Sequence, residues 1–439
     1  MTLPPGAAGL VDEVRTAVGA TWDVGAPVLR ARTGLGGALD VPGLAVGAVA
    51  AQLLAARALE DASPGPLSLD AGHVAASFAG ERHVRFHGKP AGGGFAPLSR
   101  FWRTADGWVR LHGNYPRHRA AATAVLGEDV ASAALGWRAE ELETAVVAAG
   151  GAAAAVRGAA AWAALPQAAA VRERPLVAVA RTAAHPGRRV GLRGLRVLDL
   201  TRVIAGPVAT RALAAQGADV LRIDAPQAPD DPALLDDTGA GKRHVLLDLA
   251  DRHDRARVEE LVAAADVVVQ GYRPGALDAH GLDPGSLAER YPHLVVARLS
   301  AWGTRGPWGS RRGFDSLVQA ATGIAALYGG DEAPGALPVQ ALDHATGHLA
   351  AAAVLGLIGR QQDEGGGWCA ELSLAATAHW LLGTGPGHEP PGNPPDPGPW
   401  LVELPSPAGP VTVVGPPGAP PFTTGALLPP GTRPRWLPR

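Results

Sequence analysis

Leu195-Arg-Val-Leu-Asp-Leu200, Thr201-Arg-Val-Ile-Ala-Gly-Pro207, Val208–Gln216 and Ala218-Asp-Val-Leu-Arg-Ile223 read in turn as strand, turn, helix and strand. The pattern continues downstream. His244–Leu249 is a third strand, Asp251–Ala265 a charged helix, and Asp266-Val-Val-Val-Gln270 a buried strand. Asp283–Tyr291 is again helical and His293–Ser300 closes the series as a strand. Strands alternating with helices at this spacing predict a parallel α/β sheet with right-handed crossovers. Val267–Val269 and Leu294–Val296 are apolar without alternation, as strands covered on both faces require. The first turn lacks the Gly-x-Gly-x-x-Gly that lets a backbone approach a pyrophosphate, which argues against a nicotinamide dehydrogenase. A phosphate-bearing ligand at the strand ends stays open, because open α/β sheets bind there whatever the motif.

Outward from this core, Leu342–Gly359 is an alanine-rich helix introduced by Asp343. Upstream, Ser99–Val109 predicts a hairpin turning at Ala105-Asp106-Gly107, and Arg138–Gly150 and Ala159–Val171 predict helices. The last 54 residues hold 18 of the 40 prolines, so they read as extended chain with a short strand at Pro410–Val414. The division expected is residues 1–91 as a helical segment, 92–190 as a small α+β unit, 191–385 as the large α/β domain and 386–439 as a Pro-rich extension. Residues 1–91 also carry an internal echo. Leu39–Arg57 aligns without gaps on Leu342–Arg360 with six of nineteen residues identical, and Leu67–Ala71 matches Leu372–Ala376 at four of five.

The chain has 439 residues, 47% hydrophobic and 18% charged, with a net charge of -2. That composition buries a core and excludes a largely disordered chain. It shows neither the basic excess of a nucleic-acid binder nor an acidic tail. A single cysteine, Cys369, excludes an intramolecular disulfide and a cysteine-based zinc cluster, and makes a reducing cytoplasm the expected location. The N-terminus lacks a basic-then-apolar leader pattern, and the apolar runs Gly43–Ala56 and Leu349–Gly359 fall short of the roughly 18–20 residues of a membrane span. No membrane partner is expected.

Candidate chemistry starts with Asp343. A carboxylate just before a helix accepts backbone N–H bonds and feels the positive helix end, so it is expected to be ionised, as an ordinary cap or as a nucleophile. His344 and His348 share a helix face, which allows a metal site or simply substrate-facing or surface histidines; no third ligand is evident, and no metal is expected. Gly92-Gly93-Gly94 is a closely approached mobile loop or a linker. Arg273, Arg312 and Lys242-Arg243 lie near strand or loop ends, as phosphate ligands or as solvated charge. Cys369, without a base partner, reads as a buried structural thiol.

Gly194–Pro207 resembles the opening motif of the family III CoA-transferases, a family that includes formyl-CoA transferase, carnitine CoA-transferases and 2-methylacyl-CoA racemases. The resemblance runs in order through Gly217–Asp224, Gly241–Asp248, Ala265–Gly275, Ala297–Ser300, Gly313–Gly323 and Leu342–Gly347. It implies a Rossmann-like parallel sheet carrying a nucleophile helix, beside a smaller α+β domain. It also implies that Asp343 is the nucleophile and that Gly93 and Gly94 belong to the family's glycine loop. Coenzyme A, as co-substrate, is then expected against Ile204, Ala205, Leu247, Leu249, Gly271, Tyr272, Arg273, Arg312, Gly313, Phe314 and Asp315. Backbone N–H groups near Thr346-Gly347, or in the glycine loop, are the expected oxyanion donors. Ala225 and Ala279 stand where formyl-CoA transferase has basic contacts.

The order of units departs from the family, since small-unit sequence precedes the large domain. Together with the repeat, this reads as two fused, partly deleted copies, with Asp40 a relic of the nucleophile. Phe314 stands where the racemases place a proton-carrying histidine, and phenylalanine carries none. The resemblance therefore implies CoA transfer from an acyl-CoA to a carboxylic acid through an aspartyl anhydride and an aspartyl thioester, in a homodimer. A racemase-like isomerase and an inactive CoA-binding scaffold are the alternatives.

Overall fold

The structure is a computed structural model that describes residues 2–22, 27–60, 66–92, 94–227, 230–330, 332–407, 409–425 and 434–438. Its largest sheet has seven strands: β1 (Ala178–Ala183), β2 (Arg196–Leu200), β3 (Asp219–Asp224), β4 (Arg243–Leu246), β5 (Val267–Gln270), β6 (Val295–Ser300) and β7 (Gly367–Ser373). Their spatial order is β4-β3-β2-β5-β6-β7-β1. All neighbours run parallel except β1, which pairs antiparallel with β7. The chain grows outward from β2 to β4, then returns to β5 on the other side of β2. The switch in direction therefore falls between β2 and β5, where Val267 pairs with Val197 and Gln270 with Leu200. An open parallel sheet splits its crossovers at such a point and leaves a crevice beyond the strand ends.

Each predicted strand of this domain is present within a few residues of its expected bounds. The edge strand β1 is the exception: the sequence division put residues 178–183 in the small unit. Its pairing with Trp368–Glu371 draws it onto the large sheet and moves the boundary towards the start of β1.

Five helices frame the site: α1 (Val41–Leu59), α2 (Pro116–Leu126), α3 (Ala205–Ala215), α4 (Asp315–Thr322) and α5 (Ala341–Glu364). The repeated helices α1 and α5 pack on each other over one face of the sheet, with Pro5–Val18 and α3 alongside. Glycines admit the flanking helices closely, Gly47 and Gly356 against Pro5–Val18 and Gly347 against α3, and nearly every residue of α1 and α5 is buried. Both helices extend beyond the apolar runs evident in sequence and have the length and hydropathy of a membrane span. Here they form the protein core. The sheet's other face carries Leu198, Leu221, Val268, Val296 and Cys369 against the helices Arg252–Ala263 and Pro284–Arg290. Burial pushes the Cys369 thiol up to about 12, so it is the inert core group expected.

The small unit has its own core of Trp102, Val109, Leu111, Leu126, Leu142 and Val146. Its hairpin forms as expected, with Phe101 opposite Arg110 and Arg103 opposite Trp108. Pro166 divides the expected helix 159–171 into Ala159–Ala163 and Pro166–Arg172. The C-terminal strand Val411–Val414 pairs with Leu401–Leu404 and, through Val411 and Phe86, with residues 85–86 of the N-terminal segment. The first and last segments of the sequence division thus share one sheet.

The N-terminal copy is a structural echo as well as a sequence one. The parallel strand Ser68–Asp70 leads into the helix Ala71–Ser77, as β7 leads into Leu374–Thr384. Asp40 caps α1.

Candidate active site

Beyond the C-terminal ends of β2 and β5 lies a cleft with a volume of about 380 Å3. The turn after β2 (Arg202, Val203, Ala205, Gly206), the turn after β5 (Gly271 to Ala276) and the loop Arg311–Phe314 form its large-domain walls. Tyr115, Arg117 and His118, at the start of α2, close it from the small unit. Asp343 is the one carboxylate among the described residues that line it.

Asp343 lies inside the first turn of α5 rather than ahead of it. The capping role expected of Asp343 belongs to Asp315. One Asp315 oxygen accepts the backbone N–H groups of Leu342 at 3.0 Å and Asp343 at 3.1 Å, and the other accepts from Gln319. The expected ionisation of Asp343 is corrected accordingly. Burial, then the nearby Asp315 and Glu81 charges, raise its pKa well above the usual carboxylate range. Burial also lifts Asp315 to about 6, against the pull of its hydrogen-bond donors.

Glu81 comes from the N-terminal copy. It meets His344 at 3.4 Å; burial opposes its ionisation, but the hydrogen bond and charge of His344, with smaller help from its own backbone and Arg82, together lower its pKa. Phe78 of the same copy stacks on both His344 (5.2 Å) and His348 (5.8 Å). The two histidines therefore share a face, and that face is packed beneath Phe78. Among the described residues no cluster of three or more metal-ligating side chains is present.

The turn that carries Arg202 and Val203 is held from below. Asp199, fully buried on β2, bonds Thr201, Thr210 and the Lys242 ammonium (3.1 Å). Lys242, a sequence candidate for phosphate contact, is thus consumed in the core, and Arg243 is paired with Asp219. Val203 adopts φ 70°, a left-handed conformation costly for a β-branched residue. Asp230 stabilises it, accepting from Val203 N (2.8 Å), Tyr115 Oη (2.6 Å) and Arg222 (3.0 Å). One carboxylate therefore ties the turn after β2 to the small unit.

On that side His112 stacks face to face on Phe314, with ring centroids 3.6 Å apart. His118 lies edge-on to the same ring at 5.7 Å. Burial, then Arg117, Arg312 and Arg202, hold His118 down to about 4, so the imidazole is neutral near pH 7.

Of the positions carried over for CoA, the cleft brings together Ala205, Gly271, Tyr272, Arg273, Arg312, Gly313 and Phe314. Ile204 is buried, Leu247 and Leu249 pack in the core beneath Tyr272, and Asp315 acts on α5. Gly347 lies in the second turn of α5, where a side chain would come within 2.5 Å of the Ala205 carbonyl. Its function there is close packing of α3 on α5. Interior helix N–H groups bond within the helix, so those of Thr346 and Gly347 are not available for the oxyanion role expected of them. Gly92 and Gly94 take positive φ in open space, and Gly94 is tied to Asn114 through its carbonyl. Gly93 lies outside the described residues.

Sequence reasoning missed Tyr115, Arg117, His118 and Asp230. The one available signal was Pro116, which starts a helix directly after the small unit's last hairpin strand.

Residues 192–398 match the sequence pattern of CoA-transferase family III. Among curated proteins, the chain is 36% identical over 188 residues to "Probable fatty acyl-CoA transferase Rv3272" of Mycobacterium tuberculosis, covering 40% of this chain and 48% of that one. It is 33% identical over 181 residues to the human "Succinyl-CoA:glutarate CoA-transferase", covering 38% and 41%. A crystal structure of Rv3272 superposes with a TM-score of 0.42 at 32% identity, over 46% of this chain and 56% of that one. The chain spans about half the length of the curated relatives it matches. The likeness to CoA-transferase family III is carried by residues 192–398, a little under half of the chain.

Proposed function

We propose that this protein transfers CoA from an acyl-CoA to a carboxylic acid, with Asp343 as the nucleophile. The observation that carries the reading is the position of Asp343: a lone carboxylate on the wall of a cleft at the sheet's switch point, where open α/β sheets bind ligands. The match of residues 192–398 to CoA-transferase family III and relatives named as CoA-transferases support the same reaction class.

Asp343 first loses its proton. Its carboxylate oxygen then attacks the thioester carbonyl, the C–S bond breaks, and CoA leaves as a thiolate. The mixed anhydride so formed is cleaved at the Asp343 carbonyl by that thiolate, releasing the donor acid and leaving an aspartyl thioester. The acceptor carboxylate attacks this thioester to regenerate an anhydride and free thiolate. The thiolate takes the acceptor acyl group, and Asp343 returns as a carboxylate. The route splits one difficult exchange into easier acyl transfers, each with a good leaving group, which is the gain of covalent catalysis. The helix-start N–H groups of Leu342 and Asp343 already serve Asp315, so the oxyanion donors belong to another element. Phe314 and its stacked partner His112 form an aromatic wall; Phe314 offers no proton, and burial keeps His112 neutral, down to about 3.

Incubation with an acyl-CoA and hydroxylamine is expected to leave a hydroxamate on Asp343, read by peptide mass spectrometry. Asp343→Ala is expected to lose exchange while still binding CoA. Full exchange in that variant would refute the assignment.

A further inference from the structure

Arg117 and His118 enter the cleft from the small unit and are used by none of the steps above. His118 is 1% exposed. Its Nε2 accepts from Arg117 Nε at 3.3 Å, so the ring proton of the neutral imidazole sits on Nδ1. That Nδ1 is buried, has no hydrogen-bond partner in the protein, and belongs to a residue lining the cleft. A buried donor left without an acceptor is unfavourable, so an acceptor arriving with a ligand relieves that cost.

The surroundings define that acceptor. The charges acting on His118 are those of Arg117, Arg312 and Arg202. Arg312 in turn feels Arg273 and Arg117. Arg202 faces Asp230 at 3.7 Å. Arg117, Arg273 and Arg312 have no ion-pair partner among the described residues. Like charges brought together at a cleft wall destabilise one another until an anion separates them. An alkyl chain would gain nothing from this corner, whereas an oxyanion gains both a directed N–H bond and compensating guanidinium charge.

We infer that His118 and Arg117 form an anion-binding subsite for an oxyanion that the thioester substrate carries besides its reacting carbonyl. This rests on the CoA-transfer reading and narrows its substrate class. Two parts of such a substrate carry the required chemistry: a carboxylate at the far end of the acyl group, or the phosphates of CoA.

The test compares kcat/KM for succinyl-CoA and butyryl-CoA, which differ by the terminal carboxylate, and for the two corresponding pantetheine thioesters, which lack the phosphates. An acyl carboxylate at the subsite predicts that His118→Phe and Arg117→Gln each lower the succinyl-to-butyryl ratio at least tenfold, on CoA and pantetheine alike. A phosphate there predicts instead a tenfold fall in the CoA-to-pantetheine ratio, with the acyl ratio unchanged. Both ratios within twofold of wild type, in both variants, would overturn the subsite. His118→Asn places an amide N–H near the vacated Nδ1 and is expected to restore part of the ratio. Arg117 is exposed, so its variant carries the test if His118→Phe fails to fold. Calorimetric binding of glutarate and of ADP gives a readout without turnover. Binding that depends on His118 in a protein inactive with every acyl pair would sink the transfer reading and leave the subsite standing.

Discussion

The Asp315 carboxylate caps the first turn of α5 and thereby sits against Asp343, accepting the N–H groups of Leu342 and Asp343 itself at 3.0 and 3.1 Å. Capping by an aspartate from the start of α4 leaves the side chain of Asp343 free to face the cleft. It also places a second negative charge beside the first, and this raises the Asp343 pKa beyond the effect of burial. Asp315→Asn keeps an oxygen for the helix N–H groups and removes the charge. The pH midpoint of hydroxylamine trapping is therefore expected to fall relative to wild type. Asp315→Ala leaves both N–H groups without an acceptor and is expected to cost about 1–3 kcal/mol of stability, read by denaturant unfolding.

The direction of the Asp343 shift fixes how activity and stability respond to pH. Attack requires the carboxylate, so single-turnover trapping is expected to rise with pH through a midpoint above the usual carboxylate range. Stability runs the other way. A carboxyl whose folded pKa is raised holds its proton longer in the folded than in the unfolded state, so folding loses free energy as pH climbs between the two values. Asp343→Asn removes that dependence. It is expected to abolish transfer and to melt at a higher temperature than wild type near pH 7, with the difference shrinking in acid. Equal melting curves across pH 4–8 would contradict the raised pKa.

Close packing at Gly347 predicts an abrupt size limit. A side chain there would stand 2.5 Å from the Ala205 carbonyl and 2.8 Å from Val208, and backbone yields less readily than a rotamer. Gly347→Ala is expected to lose about 1–3 kcal/mol by forcing α3 from α5, despite alanine's better helix propensity. Because Ala205 lines the cleft, KM for the acyl-CoA is expected to rise as well.

The large sheet was legible because a buried parallel strand leaves a short uninterrupted apolar run, and Val267–Val269 is such a run. Strand β1 was not. Ala178–Ala183 is half-exposed at a sheet edge and has no apolar signature, and only its pairing with β7 decides where it belongs. The family motif at Leu342–Gly347 singled out Asp343, the carboxylate that the structure places on the cleft wall. Its protonation was not legible, because sequence showed Asp343 near a helix start without showing that Asp315 already occupies that start. His118 and Asp230 escaped for a related reason. Each depends in part on a residue more than 100 positions away, Tyr115 for Asp230 and Arg312 for His118, and no local spacing encodes that.

Asp230 offers a separable test of how the two units meet. Its carboxylate holds Val203 in a left-handed conformation, accepts from Tyr115 and pairs with Arg222. Asp230→Ala removes all three contacts and leaves the Arg222 guanidinium more dependent on Asp224. The variant is expected to lose several kcal/mol, in the range of about 3–5 for breaking a buried ion pair by one partner. Asp230→Asn retains an acceptor for Val203 and is expected to recover part of this. A variant with native stability and unaltered KM would show that the turn after β2 holds itself.

Asp40 and Asp343 occupy equivalent places in the repeat yet sit in opposite surroundings. Asp40 accepts from Gly43 N at 2.9 Å, and its own N–H donates to Gly385. Its carboxylate is enclosed so tightly that a side chain on Gly6, Gly43 or Gly387 would meet it at 2.3, 2.1 and 2.3 Å. No thioester reaches a group walled in by backbone, and Asp40 is absent from the cleft lining. A cap is therefore its whole function. Asp40→Ala is expected to cost about 0.5–2 kcal/mol, the usual loss for an N-cap, with the hydroxamate still forming on Asp343 at the wild-type rate. Asp40→Asn keeps the accepting oxygen and is expected to cost less. Loss of Asp343 labelling in a folded Asp40→Asn protein, or a hydroxamate on Asp40 in the wild type, would show that the N-terminal copy retains chemistry of its own.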